Sequence, residues 1–260
     1  LLGGLVGDPI TKKYTSLSEE INNRQVKDFI MACNGSSIKH LIFISTCSNY
    51  GMLPENVLAT EETELKPLSH YASQKVEIEK FIKENRNEFT FSTTVLRFAT
   101  AFGVSPRMRF DLTVNEFART AALGQKLEVY DADTWRPYCH VKDFADLCGK
   151  VLLARSPTVD GQTFNAGGSQ NNYTKRQIAD IIKKYMPKAR IEIINASNDP
   201  RNYRVDFEKV RKTLNFVPKV NLEQGIREIL LGVEQGLFSE KDHEPNLYGN
   251  YFLGDHDETG

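Results

Sequence analysis

Short apolar runs alternate along this chain with stretches of helical periodicity, and nothing else in the sequence restricts the fold as strongly. The run Leu41-Ile-Phe-Ile44 ends in small polar residues, as a strand buried in a parallel sheet does. Residues 91–98, rich in β-branched side chains, are a second strand candidate, and residues 127–130, 163–165 and 190–194 are weaker ones. Between them, Phe144, Leu147, Val151 and Leu152 recur at i, i+3, i+7 and i+8. Ile178, Ile181, Ile182 and Tyr185 show the same periodicity after Thr174-x-x-Gln177, a capping box. Asn221 is placed to cap a last helix carrying Ile226, Ile229 and Val233. Strand–helix alternation predicts a layered α/β fold with a mainly parallel sheet.

A chain of 260 residues buries a sizeable core, as one large domain or two small ones. Its formal net charge of −1 leaves no basic footprint, which argues against a nucleic-acid partner. No apolar run is long enough to span a bilayer, so no membrane partner is expected, and no signal peptide is visible. Cys33, Cys47, Cys139 and Cys148 form no C-x-x-C pair and have no histidine at metal-ligand spacing. They read as reduced, mostly buried thiols of a cytoplasmic protein, and no metal site is expected. There is no internal repeat and no low-complexity segment. The tail from about residue 241 is polar, with Gly and His, and reads as loosely ordered or packed on a partner.

The opening LLGGLVGDP places Gly3, Gly4 and Gly7 within five positions, which suggests a phosphate-cradling loop. Such a loop needs a helix directly after its last glycine, with backbone N–H groups aimed at the pyrophosphate. Gly7 is instead followed by Asp8-Pro9 and Thr11-Lys-Lys13, which reads as a loop, and no acidic ribose partner sits on a following strand.

The chemistry concentrates further on. Ser69-His-Tyr71-Ala-Ser-Gln-Lys75 lies at the start of a helix whose apolar side carries Val76, Ile78, Phe81 and Ile82. Tyr71 and Lys75, four apart, share one helix face. An ammonium near a phenol favours the phenolate and lowers its pKa, which makes tyrosine usable as a base near neutral pH. By itself this spacing is common, and an exposed Tyr with a solvated Lys is the plainer reading. Upstream, however, the strand Leu41–Ile44 runs into Ser45-Thr46-Cys47-Ser48-Asn49-Tyr50-Gly51. Hydroxyls therefore stand at the carboxyl end of a strand, where open α/β sheets bind ligands. Downstream come Leu96-Arg-Phe-Ala-Thr-Ala-Phe-Gly103, Trp135-Arg-Pro-Tyr-Cys-His-Val-Lys-Asp143, Phe164-Asn-Ala-Gly-Gly168 and Asp199-Pro-Arg-Asn-Tyr-Arg204.

With these segments in this order (S-T-x-S-x-Y-G, Y-x-x-x-K, L-R-F-x-x-x-F-G, R-x-Y-x-H-V-x-D, F-N-x-G, R-N-Y-x-V) the sequence resembles the extended short-chain dehydrogenase/reductases, in the nucleotide-sugar epimerase/dehydratase branch. The resemblance runs to about residue 236. It implies an α/β fold: a Rossmann-like doubly wound parallel sheet with a smaller carboxy-terminal α/β substrate domain. Residues 1–105 would form the dinucleotide-binding part, residues 106–240 mainly the substrate domain with some return to the Rossmann sheet, and residues 241–260 a tail. In the family an aliphatic-small-small segment and a G-D-P-like turn follow the fourth strand. Leu2, Gly3 and Gly4 look like that segment, whose backbone lies along the cofactor. The numbering is then expected to begin in mid-fold, about two β-α units, roughly sixty residues, after the Gly-rich loop.

The resemblance also assigns roles. Tyr71 matches the base that removes a proton from a sugar hydroxyl, usually at C4, as hydride leaves for NAD; NADP is the alternative cofactor. Lys75 matches the lysine that bonds the nicotinamide ribose and depresses the tyrosine pKa, and Thr46 the hydroxyl that bridges tyrosine and substrate. Ser45, Asn22, Phe98 and Ala99 correspond to cofactor neighbours. Thr100 stands where many relatives have a substrate-facing Asn. Arg136 and Arg201 resemble the arginines that hold the diphosphate and nucleoside of a nucleotide-diphosphate sugar, in keeping with guanidinium–phosphate pairing. Glu128 and Tyr130 fall where the family packs the base, and Asn115, on a helix over residues 111–123, is a phosphate-side candidate. His140 and Asp143 read as structural, fixing a turn and capping the Phe144 helix. A homodimer is expected through helices in residues 17–34 and 71–85.

The 4,6-dehydratases carry an Asp-Glu pair after the Thr; here Cys47-Ser48 stand in those positions, which disfavours dehydration. Oxidoreduction at a sugar carbon of a nucleotide-activated sugar remains. A 4-epimerase is placed ahead of a 4-dehydrogenase or reductase, for example on a heptose nucleotide, and of a 4,6-dehydratase. A non-enzymatic scaffold is the competing class.

Overall fold

The computed structural model describes residues 1–194, 201–238, 248–249 and 253. It opens with three helices, α1 (Asp8–Lys13), α2 (Thr15–Glu19) and α3 (Gln25–Ala32), the last two joined by a π-helical turn at Glu20–Arg24. Next come β1 (His40–Thr46), a 3-10 turn at Cys47–Tyr50, β2 (Leu58–Ala59), α4 (His70–Glu84), β3 (Ser92–Phe98) and β4 (Thr100–Phe102). The middle of the chain forms α5 (Thr113–Ala122), β5 (Lys126–Tyr130), β6 (Trp135–His140), α6 (Val141–Leu153), α7 (Ser156–Val159) and β7 (Gln162–Ala166). It closes with β8 (Asn172–Thr174), α8 (Lys175–Tyr185), β9 (Arg190–Ile194), β10 (Arg204–Val205), α9 (Glu208–Leu214) and α10 (Leu222–Glu234).

Strands β1, β3 and β7 make a parallel sheet in that order, registered so that Thr46 pairs with Phe98 and Phe98 with Ala166. All three carboxyl ends therefore lie level. On one face, Leu41, Phe43 and Val95 pack against Val26 and Ile30 of α3 and Ile78 and Ile82 of α4. On the other, Ile42, Leu96 and Phe164 meet Phe144, Leu147 and Val151 of α6. Two helical layers over a parallel sheet follow from strands that are apolar on both faces.

A second core unites Val114, Phe117 and Ala118 of α5, Leu127 and Val129 of β5, Ile178 and Ile182 of α8, and Ile226 and Ile229 of α10. Here β5 pairs in parallel with β9. Between the two cores β4 pairs with β6 and β6 with β8, while β2 pairs with β10. Strands of two or three residues carry no readable periodicity, and β6 contains Arg136 and Pro137, so none of these was legible in the sequence.

The caps expected at Thr174 and Asn221 form. Thr174 accepts from the Gln177 N–H and Asn221 from the Gln224 N–H, each as a complete capping box. Ser69 caps α4, accepting from the Ala72 N–H at 3.3 Å.

Two readings need correction. Asp8-Pro9 opens helix α1, not a loop: Gly7 takes the N-cap position at φ 110°, and proline is tolerated in a first turn, where its missing N–H has no partner to lose. His140, rather than Asp143, caps α6, its Nδ1 accepting from the Lys142 N–H. Asp143 instead accepts from the backbone N–H groups of Lys219 and Val220, holding the approach to α10. All four cysteines are free, three of them buried. Most of the tail lies outside the described residues. Of its described residues, Tyr248 packs edge-on against Phe110 and Leu253 against the Leu5, Ile10 and Tyr14 cluster.

Candidate active site

Strand β1 runs apolar from Leu41 to Ile44 and turns polar at Ser45 and Thr46, at its carboxyl end. Thr46 Oγ1 accepts from the Ser48 N–H and donates to Ser48 Oγ, both at 3.1 Å, which starts the 3-10 turn. Helix α4 packs along β1. Its face carries Tyr71, Lys75 and Glu79 at successive i+4 positions. Lys75 Nζ donates to the Ile44 carbonyl at 2.9 Å and lies 4.8 Å from the Phe43 ring centroid and 5.7 Å from that of Tyr71. Tyr71 is half-buried, and its hydroxyl makes no hydrogen bond among the described residues.

The charge state of this pair differs from the sequence expectation. Burial lowers Lys75 to about 8, against a partial upward pull from Glu79. Burial, then the nearby Asp8 carboxylate, push Tyr71 up to about 12, with Arg109 pulling the other way. The ammonium does not hold the phenol acidic here, because it is itself poorly solvated and turned to a carbonyl.

The remaining sequence candidates fall into three groups. Leu2, Gly3 and Gly4 are exposed along the start of the chain. Asn22 clamps the next residue: its Nδ2 donates to the Leu5 carbonyl and its Oδ1 accepts from the Leu5 N–H, both at 2.8 Å. Phe98 ends β3 and stacks on Phe144, while the Ala99 N–H donates to the Ala166 carbonyl. These lie level with Thr46 at the carboxyl edge of the parallel sheet. Thr100 follows in β4, opposite Tyr138.

Ser45 and Asn115 are already occupied. The Ser45 hydroxyl is buried and donates to Glu79 Oε1. Asn115 is buried, accepting from the Gly103 N–H and donating to the Arg109 carbonyl, each at 3.0 Å. Its amide braces two loops and does not project toward an anion.

Arg136 and Arg201 meet. Arg136 Nη1 donates to the Arg201 carbonyl, and its guanidinium stacks over Tyr203, 5.2 Å from the ring centroid. Arg201 pairs with Asp8 at 2.7 Å, reaching back to the first helix beside Tyr71. The other Asp8 oxygen, Oδ1, is buried without a hydrogen-bond partner among the described residues. Glu128 and Tyr130 bond each other at 2.9 Å on β5, at a cavity of about 350 Å³ shared with Glu116 and Lys175.

Sequence reasoning passed over Asp8 and Glu79. Glu79 had a signal: it continues the Tyr71–Lys75 face into a helix side otherwise given to Val76, Ile78 and Ile82. Arg97 sits inside an apolar strand, and a cation there needs a buried partner. Cys47 is buried, donates to the Arg97 carbonyl at 3.1 Å and is pushed well above the usual thiol range by burial, so it is no proton donor for catalysis. Among the described residues no three His, Cys, Asp or Glu side chains gather as a metal site.

Residues 4–167, more than half of the chain, match the NAD dependent epimerase/dehydratase family. The chain belongs to that family. An uncharacterised UDP-glucose epimerase of Bacillus subtilis is 26% identical over 207 residues, covering 79% of this chain and 64% of that protein. The UDP-glucuronate 4-epimerase of Thermodesulfobacterium geofontis is 25% identical over 195 residues, covering 73% and 58%. The chain thus spans about three fifths of the length of these relatives. Among solved structures, the UDP-glucuronic acid 4-epimerase of Bacillus cereus, in complex with UDP-glucuronic acid and NAD, superimposes with a TM-score of 0.80 at 21% identity, covering 91% of this chain and 74% of that one. The UDP-glucose 4-epimerase of Thermus thermophilus, in complex with NAD, gives 0.77 at 20% identity, covering 90% and 76%. At such identities the likeness concerns the fold, a Rossmann-type α/β architecture, which this member of the epimerase/dehydratase family shares.

Proposed function

We propose that the protein carries out NAD-dependent oxidoreduction at C4 of a nucleotide-diphosphate sugar, as a 4-epimerase. One observation carries this reading: a hydroxyl with no partner among the described residues, that of Tyr71, sits one helical turn from a buried ammonium, Lys75, on a helix docked at the carboxyl end of a parallel strand. Family membership and relatives described as UDP-sugar 4-epimerases support it.

The residues present fit the nicotinamide half of the cofactor. Gly4 adopts φ 137°, and a Cβ there would lie 2.6 Å from Asn22 Oδ1, so only glycine keeps this segment low and open beside the sheet edge. Lys75 and the Leu2–Gly4 backbone would hold NAD, which when bound supplies the hydride acceptor. Tyr71 takes the proton of the sugar hydroxyl, Thr46 orients that hydroxyl, and Arg136 and Arg201 hold the diphosphate. The Tyr71–Lys75 pair loses its first proton near pH 8, from the ammonium. In that state the Lys75 amine, one turn from Tyr71, is able to accept a proton. Activity therefore rises as the pH passes through about 8.

The deciding experiment is incubation with a panel of uridine, guanosine, thymidine and cytidine diphosphate sugars, with products followed by NMR. Inversion at C4 supports the epimerase, a 4-keto product the dehydrogenase, and conversion of no sugar by the NAD-loaded protein the scaffold.

Two coarser matters belong to the same reading. Among the described residues no helix is long and apolar enough to cross a membrane. With its free thiols, the protein is proposed to work in the cytoplasm. Phe29 and Met31 of α3 are exposed, and pairing of two copies through α3 and α4 would cover them. A monomer by light scattering would exclude that pairing.

A further inference from the structure

Glu79 lies deeper in the fold than any other acid near the site, with 7% of its side chain exposed. Three residues converge on its carboxylate. Arg97 donates through Nε at 3.0 Å and Nη2 at 2.6 Å to Oε2; Asn49 Nδ2 donates to Oε1 at 2.9 Å; and the Ser45 hydroxyl donates to Oε1. Arg97 also donates to Tyr50 Oη at 3.0 Å, and Tyr50 in turn to Asn165 Oδ1 at 2.6 Å.

Each element tied to this carboxylate carries a candidate site residue close by. Ser45 precedes Thr46, Arg97 precedes Phe98, and Glu79 lies one turn after Lys75 on the same face. We propose that Glu79 is a positioning residue: its buried carboxylate, held by Arg97, Asn49 and Ser45, fixes the Lys75–Tyr71 face of α4 against the ends of β1 and β3. The inference rests on the reaction assigned above only for its kinetic consequence.

The groups facing Lys75 are few. Tyr71 and Glu79 lie on its own helix, Arg97 of β3 pairs with Glu79, Asp8 of α1 and Arg109 approach Tyr71 from outside, and β1 offers Lys75 the Ile44 carbonyl. Glu79 is the nearest acid and pulls Lys75 upward, against burial. Removing its charge lowers the Lys75 titration and moves the rising limb of the pH–rate profile to lower pH.

The test is Glu79→Gln, isosteric but uncharged, read in two ways. Reductive methylation with 13C-formaldehyde labels Lys75, whose NMR signal is assigned by its loss in Lys75→Arg and titrated directly. Steady-state kinetics on the sugar nucleotide found in the panel supply the pH profile. A kcat down about tenfold or more with KM within about threefold, together with a Lys75 midpoint moved to lower pH, supports the proposal. An unchanged kcat overturns it.

A titration that moves in a chain that converts no sugar nucleotide leaves the positioning role standing and removes the proposed reaction. Arg97→Lys keeps the cation but loses the paired donors, and it serves if Glu79→Gln does not fold. It should lower kcat several-fold without moving the Lys75 midpoint, and unchanged kcat would overturn the role.

Discussion

The role proposed for Tyr71 and Lys75 and an energetic cost fall on the same few atoms. A lysine lowered from 10.5 to about 8 is an ammonium the folded state holds unwillingly. The sign follows: below about pH 8 the folded chain bears the full penalty, and above 10.5 neither state is charged, so the penalty vanishes as the pH rises between those values. Lys75→Met is therefore expected to raise stability at pH 7 by on the order of 1–3 kcal/mol, with the gap closing toward pH 10.5. Denaturant melts at several pH values measure it, and a gap independent of pH would show that the ammonium is not the cause. Tyr71→Phe removes one oxygen that bonds nothing among the described residues. It should abolish hydride transfer while leaving stability and sugar-nucleotide affinity nearly unchanged. A fully active Tyr71→Phe would refute the role.

At the scale of elements, α4 differs from the helices of the second core. Ser69, Thr174 and Asn221 each satisfy an N–H in the first turn of a helix. Alanine at any of them should cost about 1 kcal/mol, or roughly 2–4 °C in Tm for a chain of this size. The consequences for rate should diverge. Ser69→Ala loosens the turn that holds Tyr71, so kcat falls, while Thr174→Ala and Asn221→Ala lose stability alone. Equal effects on kcat at equal loss of Tm would mean that the start of α4 is no more coupled to chemistry than α8 or α10. The caps themselves were readable, because a capping box is a local pattern. That Asp8-Pro9 begins a helix was not: the helix is six residues long and is held by burial of Ile10 against Leu5 and Tyr14, too few apolar positions to show a period.

Across the whole molecule, Arg201 ties the approach to β10 to the first helix through Asp8, and Arg136 ties β6 to Arg201. Charged residues from three distant stretches are thus linked, and the linkage ends at Asp8, whose carboxylate acts on Tyr71. Arg136→Ala should weaken sugar-nucleotide binding by more than tenfold, about the loss of one strong charge-assisted contact. It should also reduce stability, since Arg136 is buried and bonds two carbonyls. Arg201→Ala should weaken binding comparably yet change stability by about 1 kcal/mol or less, because its ion pair is partly exposed. Calorimetric titration beside thermal melts separates the two, and unaltered affinity in both would move the diphosphate elsewhere.

The sequence by itself determined the strands of the parallel sheet, the capped helices and the Tyr71–Lys75 spacing. Each follows from periodicity or hydrogen bonding within a few residues, which local order is enough to specify. Only the tertiary structure decided that Ser45 and Asn115 turn to protein partners, that Asp8 reaches Arg201, and that Lys75 is lowered while Tyr71 is raised. These depend on burial and on charges brought together from far along the chain. Desolvation is a property of the packed molecule, and no spacing in the sequence records it.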